Sequence, residues 1–171
     1  MSLSGFWPTT ILVAVFVVLQ STLLKNLRLF DVKPDIALVI FLLTSSRQGS
    51  FKAQITGFGT GLVQDFLSLS PIGFNALIRT VLGYLYGALK GKLFIDPIFF
   101  PILIAVIGTL LKYLFSYILM LMFISPAAAA TVFSAHLWIE MGINSFIAPF
   151  IFALLKIGRF IQMRERDEMF R

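Results

Sequence analysis

The chain has no cysteine, one histidine and only eight acidic residues among its 171. Without cysteine it can form neither disulfide bonds nor thiolate metal sites, and it has no cysteine nucleophile. One histidine and so few carboxylates leave little material for a metal centre. Charged residues make up 13% of the chain, whereas a soluble globular domain carries about a quarter. We therefore expect neither a metal nor a cofactor, and a chain that is not a soluble domain.

The chain is correspondingly rich in hydrophobic residues. They account for 58% of the chain, including nineteen phenylalanines, and the mean hydropathy is +0.94. This composition is typical of an integral membrane protein, and the length predicts one transmembrane domain over residues 1–171. Residues 1–24 are apolar, but no Lys or Arg precedes the apolar run and no small-residue cleavage motif follows it closely. We interpret them as a retained helix and not as a removed signal peptide.

Six apolar runs predict an all-α bundle of six transmembrane helices. The predicted spans are 6–24, 36–46, 53–69, 74–92, 98–123 and 132–157. The second run has only about ten residues, which is short for an independent span. Spans two and three are therefore either two short, tilted crossings or one hairpin that penetrates partway, and we favour two crossings. Residues 47–51 predict a turn, residues 125–130 an uncharged loop, and residues 159–171 a short polar tail.

The cationic residues indicate how the chain lies in the membrane. The net charge is +6, but Lys and Arg occur singly or in pairs at the ends of apolar runs, which fits lipid headgroups and not nucleic acid. Six crossings place both termini on one side. Nine cations then fall on that side: Arg47, Lys52, Lys90, Lys92, Lys156, Arg159, Arg164, Arg166 and Arg171. The opposite side receives three: Lys25, Arg28 and Lys33. This excess predicts that both termini are cytoplasmic.

Ionisable residues also lie inside the predicted spans. Such groups are costly in hydrocarbon, so they usually face the bundle interior and find a partner. From the predicted depths of spans four and six, we expect Arg79 to pair with Glu140. The predicted polar cluster consists of Asp65, Arg79, Lys112, His136 and Glu140. It is either a buried structural pairing that fixes helix register or part of a proton or ion pathway.

Three further polar positions are visible in the pattern. Gln20 is the only strongly polar residue of the first span. Pro34 and Asp35 suit the start of the second, where a carboxylate interacts favourably with the helix dipole. Asn144 follows His136 and Glu140 at four-residue spacing.

Glycines recur at helical spacing in spans three and four. They are Gly57 and Gly61, followed by Gly83, Gly87 and Gly91. Residues four apart lie on one face of a helix, and small residues there let two helices approach closely in lipid. We predict that these faces serve helix packing within the chain or contact with a partner's helix. Between the two spans, Pro71, Gly73 and Asn75 predict a turn.

Little in the sequence indicates catalysis. The sequence has no G-x-S-x-G nucleophile elbow, no H-E-x-x-H motif and no Walker phosphate loop. The run G-F-G-T-G lies inside an apolar span, where the helix already uses the backbone amides. We therefore expect a protein that is not an enzyme.

Five motifs follow one another along the chain: K-P-D at 33–35, R-x-G at 47–49, G-F-G-T-G-L-V-Q-D-F at 57–66, S-P-I-G-F-N-A-L at 70–77 and G-K-L-F at 91–94. Their order resembles that of the MreD family of bacterial rod-shape inner-membrane proteins. The resemblance covers nearly the whole length. By position, it implies that Gly57, Gly61, Asp65, Gly73 and Asn75 shape the bend between spans three and four, where Asp65 caps or pairs.

The resemblance implies a non-enzymatic scaffold of the cell-elongation complex in the bacterial inner membrane. Its implied partners are the transmembrane helix of MreC, the actin-like MreB, the glycosyltransferase RodA and a class-B penicillin-binding transpeptidase. It also implies a fold similar to the substrate-binding subunits of energy-coupling-factor vitamin transporters. The alternative function is accordingly a small-molecule-binding transporter subunit with an outward pocket between spans three, four and six. An ion or proton conductor is a third interpretation.

Overall fold

The computed structural model describes residues 6–22, 32, 34–68, 70–91 and 98–157. Within these ranges the protein is all helical and has no β-strand, as predicted. Its helices are α1 (Phe6–Thr22), α2 (Ile36–Gln48), α3 (Ser50–Leu67), α4 (Phe74–Gly87), α5 (Phe99–Phe123), the short α6 (Pro126–Ala130) and α7 (Ala135–Ile157). The polar tail predicted at 159–171 lies outside the described residues.

Helix α2 lies at the centre of the bundle. It contacts each of the other five long helices, and ten of its 13 residues are buried. A helix of this length is about 20 Å long, less than the roughly 30 Å of a hydrocarbon core. The short apolar run is therefore a core element of the bundle.

Two local predictions were wrong. The turn expected at 47–51 narrows to a single residue, Gly49, because helix α2 continues to Gln48 and helix α3 begins at Ser50. Gly49 has a φ of 89°, a conformation that favours glycine. The loop expected at 125–130 contains helix α6, which proline at the first position and alanine thereafter both favour.

Helices α3 and α4 form a tight antiparallel hairpin through four of the predicted glycines. A β-carbon added at Gly57 or Gly61 would collide with the backbone of Arg79 or Ala76 on α4. A β-carbon at Gly83 or Gly87 would lie 2.5 Å from backbone atoms of Ala53 or Ser50 on α3.

The glycine faces are therefore covered by the chain itself, and they do not offer the surface for a partner's helix that we considered. Gly91 does not belong to this contact. It lies beyond the end of α4 with a φ of 75°, and a β-carbon added there would have no described residue within 4 Å.

Helices α5 and α7 pack against each other and are the two described helices that are long and apolar enough to cross a membrane alone. Helices α1 and α2 are shorter apolar helices. Large apolar side chains remain exposed on the outside of the bundle, among them Trp138, Phe146 and Phe150 on α7. The fold fits a membrane location, and six complete crossings stay a prediction.

Candidate functional site

A buried carboxylate caps the central helix. Asp35 is 4% exposed and precedes the first residue of α2. Its Oδ1 atom accepts hydrogen bonds from the backbone N–H of Leu38 at 3.0 Å and from Nε2 of Gln20 at 3.3 Å. An N-cap carboxylate satisfies an amide that the helix leaves unpaired and interacts favourably with the helix dipole. Helix α2 therefore starts inside the bundle with a negative charge at its N-terminus.

Lys112 joins this carboxylate to a second one. Its Nζ atom donates to Oδ2 of Asp35 at 2.8 Å and to Oε1 of Glu140 at 2.7 Å. The other oxygen of Glu140 accepts from the hydroxyl of Tyr113 at 2.7 Å. Short, charge-assisted hydrogen bonds of this kind are about twice as strong as neutral ones. One ammonium thus connects the start of α2 with the middle of α5 and the first turns of α7.

Arg79 approaches the same carboxylate less closely. Its NH2 atom lies 3.6 Å from Oδ1 of Asp35, and its side chain is 3% exposed. Neither terminal nitrogen of the guanidinium has a hydrogen-bond partner among the described residues. The group lies 5.9 Å from the ring centre of Phe41, within range of a cation–π contact.

The pairing of Arg79 with Glu140 that we expected is therefore wrong. Arg79 pairs with Asp35, and Glu140 binds Lys112 instead. We name Asp35, Arg79, Lys112 and Glu140 the ion cluster. Two positive and two negative side chains give it a formal charge of zero, which lowers the cost of burying each of them.

Neutral polar side chains complete the hydrogen bonds at the start of α2. Oδ1 of Asn144 accepts from the backbone N–H of Asp35 at 3.1 Å, and its Nδ2 donates to Thr109 at 3.1 Å. Oε1 of Gln20 accepts from the backbone N–H of Ala37 at 2.9 Å. Backbone groups in hydrocarbon must be satisfied within the protein, and these side chains do so where α2 begins.

Asp65 lies outside the predicted polar cluster, at the bend between α3 and α4 where the resemblance implied that it caps or pairs. It is 2% exposed and accepts backbone hydrogen bonds from Gly73 at 2.9 Å, Asn75 at 2.9 Å and Ala76 at 3.2 Å. The side-chain amide of Asn75 donates to it at 2.8 Å. Asp65 therefore caps helix α4 from the end of α3, across a turn in which Gly73 has a φ of 97°. It forms no ion pair with the cluster in the described part of the chain.

His136 also lies apart from the ion pairs. It is exposed at the start of α7, with Nδ1 2.9 Å from the hydroxyl of Ser134. It does share a cavity of about 280 Å³ with Lys112. The cavity is lined by Lys112, Tyr113, Ser116, Met120, Thr131, Val132, Ser134 and His136. We name it the lysine cavity.

A second, apolar cavity of about 320 Å³ lies where the turn before α4 faces the end of α5. It is lined by Pro71, Ile72, Gly73, Phe74, Leu77, Leu119, Phe123 and Ile124. None of its described lining residues has a polar side chain, so it fits an apolar group and not a polar ligand.

The position of Asp35 in the core was not predicted from the sequence. K-P-D was visible as a helix start, and the spacing of Glu140 and Asn144 was visible on the last helix. Asp35 lies one residue before the predicted second span, 36–46, so it was not among the ionisable residues within the spans from which the partner of Arg79 was chosen. The described residues contain no group of three or more His, Cys, Asp or Glu side chains that could hold a metal ion.

The family model described as rod shape-determining protein MreD matches residues 3–157 of the chain. The match covers nearly the whole length, including every helix described above. No curated protein and no solved structure matches the chain.

Proposed function

The chain belongs to the MreD family of rod shape-determining membrane proteins, and from this premise we propose that it is a scaffold of the elongation complex. It binds the transmembrane helix of MreC and thereby helps to organise peptidoglycan synthesis along the cell. MreB, RodA and a class-B penicillin-binding transpeptidase are the further members of the assembly that we propose. The family match over residues 3–157 is the observation that carries this proposal.

The buried ionisable groups support a protein that acts by binding a partner. Lys112 and Glu140 bind each other, Asp35 caps α2, and Asp65 caps α4. Each of these ionisable groups therefore already has a role in holding helices together. A bundle held in this way presents a fixed outer surface, and a scaffold needs such a surface to bind the same partner in one geometry.

A partner's helix must use a surface that the chain leaves uncovered. Gly59 on α3 and Gly142 on α7 meet this requirement, because a β-carbon added at either would have no described residue within 4 Å. Gly142 lies between exposed Trp138 and Phe146 at four-residue spacing. Small residues beside large apolar ones let a second backbone approach closely in lipid. These two faces replace the covered glycine faces as the sites where we propose that MreC binds.

We also propose a topology. The six long helices form one domain in the inner membrane, with both termini in the cytoplasm. The excess of nine cations over three on the terminal side supports this orientation. Reporter fusions after residues 49 and 171 should give cytoplasmic signals, and a fusion after residue 125 should give a periplasmic one. A cytoplasmic signal at 125 would contradict the topology.

Co-purification tests the scaffold directly. The tagged full-length chain is extracted from native membranes in a mild detergent, and MreC is identified among the bound proteins. A photo-crosslinking side chain at position 59 or 142 should then join the chain to MreC. The matched control carries the crosslinker at Tyr84, an exposed position on α4. The proposal fails if MreC is absent from the wild-type preparation.

The alternative function, a small-molecule-binding transporter subunit, has less support. It predicts a polar pocket between α3, α4 and α7. The two cavities described above lie instead between α5 and the start of α7, and between the start of α4 and the end of α5. A ligand copurifying in contact with α3, α4 and α7 would favour this alternative.

A further inference from the structure

The lysine cavity combines hydrogen-bond donors with an absence of acidic residues. One ammonium, one imidazole and the hydroxyls of Ser116, Thr131 and Ser134 line it, and Met120 and Val132 supply apolar wall. None of its lining residues in the described part of the chain is a carboxylate. Such a lining matches an oxyanion, which accepts hydrogen bonds and carries negative charge.

Lys112 retains capacity for a ligand after it has formed the ion cluster. An ammonium has three donors, and the hydrogen bonds to Asp35 and Glu140 use two of them. The Lys112 side chain is 21% exposed, whereas those of Asp35 and Glu140 are 6% and 7% exposed. The ammonium of Lys112 is therefore partly accessible, whereas the two carboxylates of the ion cluster are buried.

The charges behind the cavity do not oppose an anion as strongly as two free carboxylates would. Both carboxylates accept hydrogen bonds, and Arg79 lies 3.6 Å from Asp35. An incoming oxyanion contacts the ammonium of Lys112 first. Because the ion cluster has a formal charge of zero, there is no excess negative charge behind the ammonium to repel the oxyanion. At the mouth, His136 interacts with the hydroxyl of Ser134 through Nδ1 and retains Nε2 as its second polar atom.

We propose that the lysine cavity binds an oxyanion, a phosphate or carboxylate group, between Lys112 and His136. Its volume of about 280 Å³ equals about nine molecules of liquid water, which accommodates a phosphate with a small polar substituent. The group is either a free small molecule or the headgroup of an anionic phospholipid. The site does not depend on the scaffold function, because none of its residues lies on the faces proposed for MreC.

A stability assay on the purified full-length chain distinguishes these sources. Its melting temperature is measured with inorganic phosphate against chloride at equal ionic strength, and with phosphatidylglycerol against phosphatidylcholine in mixed micelles. Stabilisation by phosphate supports the proposal with a free oxyanion as ligand. Stabilisation by phosphatidylglycerol alone supports it with a lipid headgroup. The proposal is overturned if neither exceeds its control.

Variants then locate the binding. Ser116→Leu fills the cavity with an apolar side chain and should abolish the response to the effective ligand. Ser145→Leu, the same change on α7 at a residue that does not line the cavity, should retain it. His136→Phe keeps a ring at the mouth without hydrogen-bonding nitrogens, and roughly tenfold weaker binding is expected from the loss of one contact to a charged group.

His136 is exposed, so we expect its replacement to leave the fold intact. The His136→Phe variant therefore tests the proposal even if Ser116→Leu does not fold. Unchanged affinity in His136→Phe, or a full response in a folded Ser116→Leu protein, would show that the ligand binds elsewhere and would overturn the proposal.

Discussion

Replacing Lys112 with methionine is the sharpest test of the ion cluster. The change removes the one ammonium that donates to both Asp35 and Glu140, at 2.8 and 2.7 Å. Breaking a buried pair by removing one partner costs about 3–5 kcal/mol, because the remaining charge is left buried and uncompensated. Here two carboxylates lose their shared partner, so we expect Lys112→Met to lie at or above the upper end of that range.

Arg79→Met provides the matched comparison. It removes a cation from the same cluster and leaves a side chain of similar length. The terminal nitrogens of Arg79 have no hydrogen-bond partner among the described residues, and Asp35 keeps its bonds to Lys112 and Leu38. Removing the guanidinium also removes the cost of burying it. We expect a loss of about 1 kcal/mol or less.

The assay is thermal unfolding of the purified protein in detergent. In a chain of this size about 1 kcal/mol shifts the melting temperature by roughly 2–4 °C. Lys112→Met should therefore lower it by about 10 °C or more, and Arg79→Met by less than about 4 °C. Adding Glu140→Gln to Lys112→Met should recover part of the loss, because one of the two stranded charges disappears. Equal losses in the two single variants, or no recovery in the double variant, would refute this account of the cluster.

Two further predictions concern the α3–α4 hairpin, with stability measured by the same thermal assay. Gly83→Leu should destabilise the protein by about 3 kcal/mol or more, because its β-carbon would lie 2.5 Å from the carbonyl oxygen of Ala53. Gly59→Leu, on the face of α3 that the described residues leave uncovered, should not destabilise the protein, because leucine favours a helix more than glycine does, and equal losses in the two variants would contradict the described hairpin. Asp65→Ala should cost about 2 kcal/mol, since three backbone amides at the start of α4 lose their acceptor. An unchanged melting temperature would show that water or another group satisfies those amides.

The helices themselves were predictable from local pattern. Apolar runs bounded by Pro, Gly or charge indicated α5 and α7 to within about three residues, because each run is long and its ends are marked. The turn before α4 was also predictable, since Pro71 and Gly73 lie two residues apart at the end of an apolar run, and such a pair favours a turn. Helix α6 was missed because Pro126 was read as a loop signal when it in fact occupies the first helical position.

The pairing of charges was not predictable in the same way. Which ions meet depends on the depth at which each helix begins, and local sequence does not set that depth for α2. A run of about ten apolar residues fits a weak span near the surface and a fully buried core helix equally well. The pairing of Arg79 with Glu140 was wrong because Asp35 was placed at the start of the second span, outside the set of ionisable residues considered within the spans.

The buried start of α2 has a consequence for biogenesis. Asp35 leaves the ribosome 77 residues before Lys112 and 109 residues before Asn144. At synthesis rates of about 5–20 residues per second, Lys112 is synthesised roughly 4–15 s after Asp35. The central helix α2 is thus among the first helices to be synthesised, but the contacts at its N-terminus can form only after α5 and α7 have been synthesised.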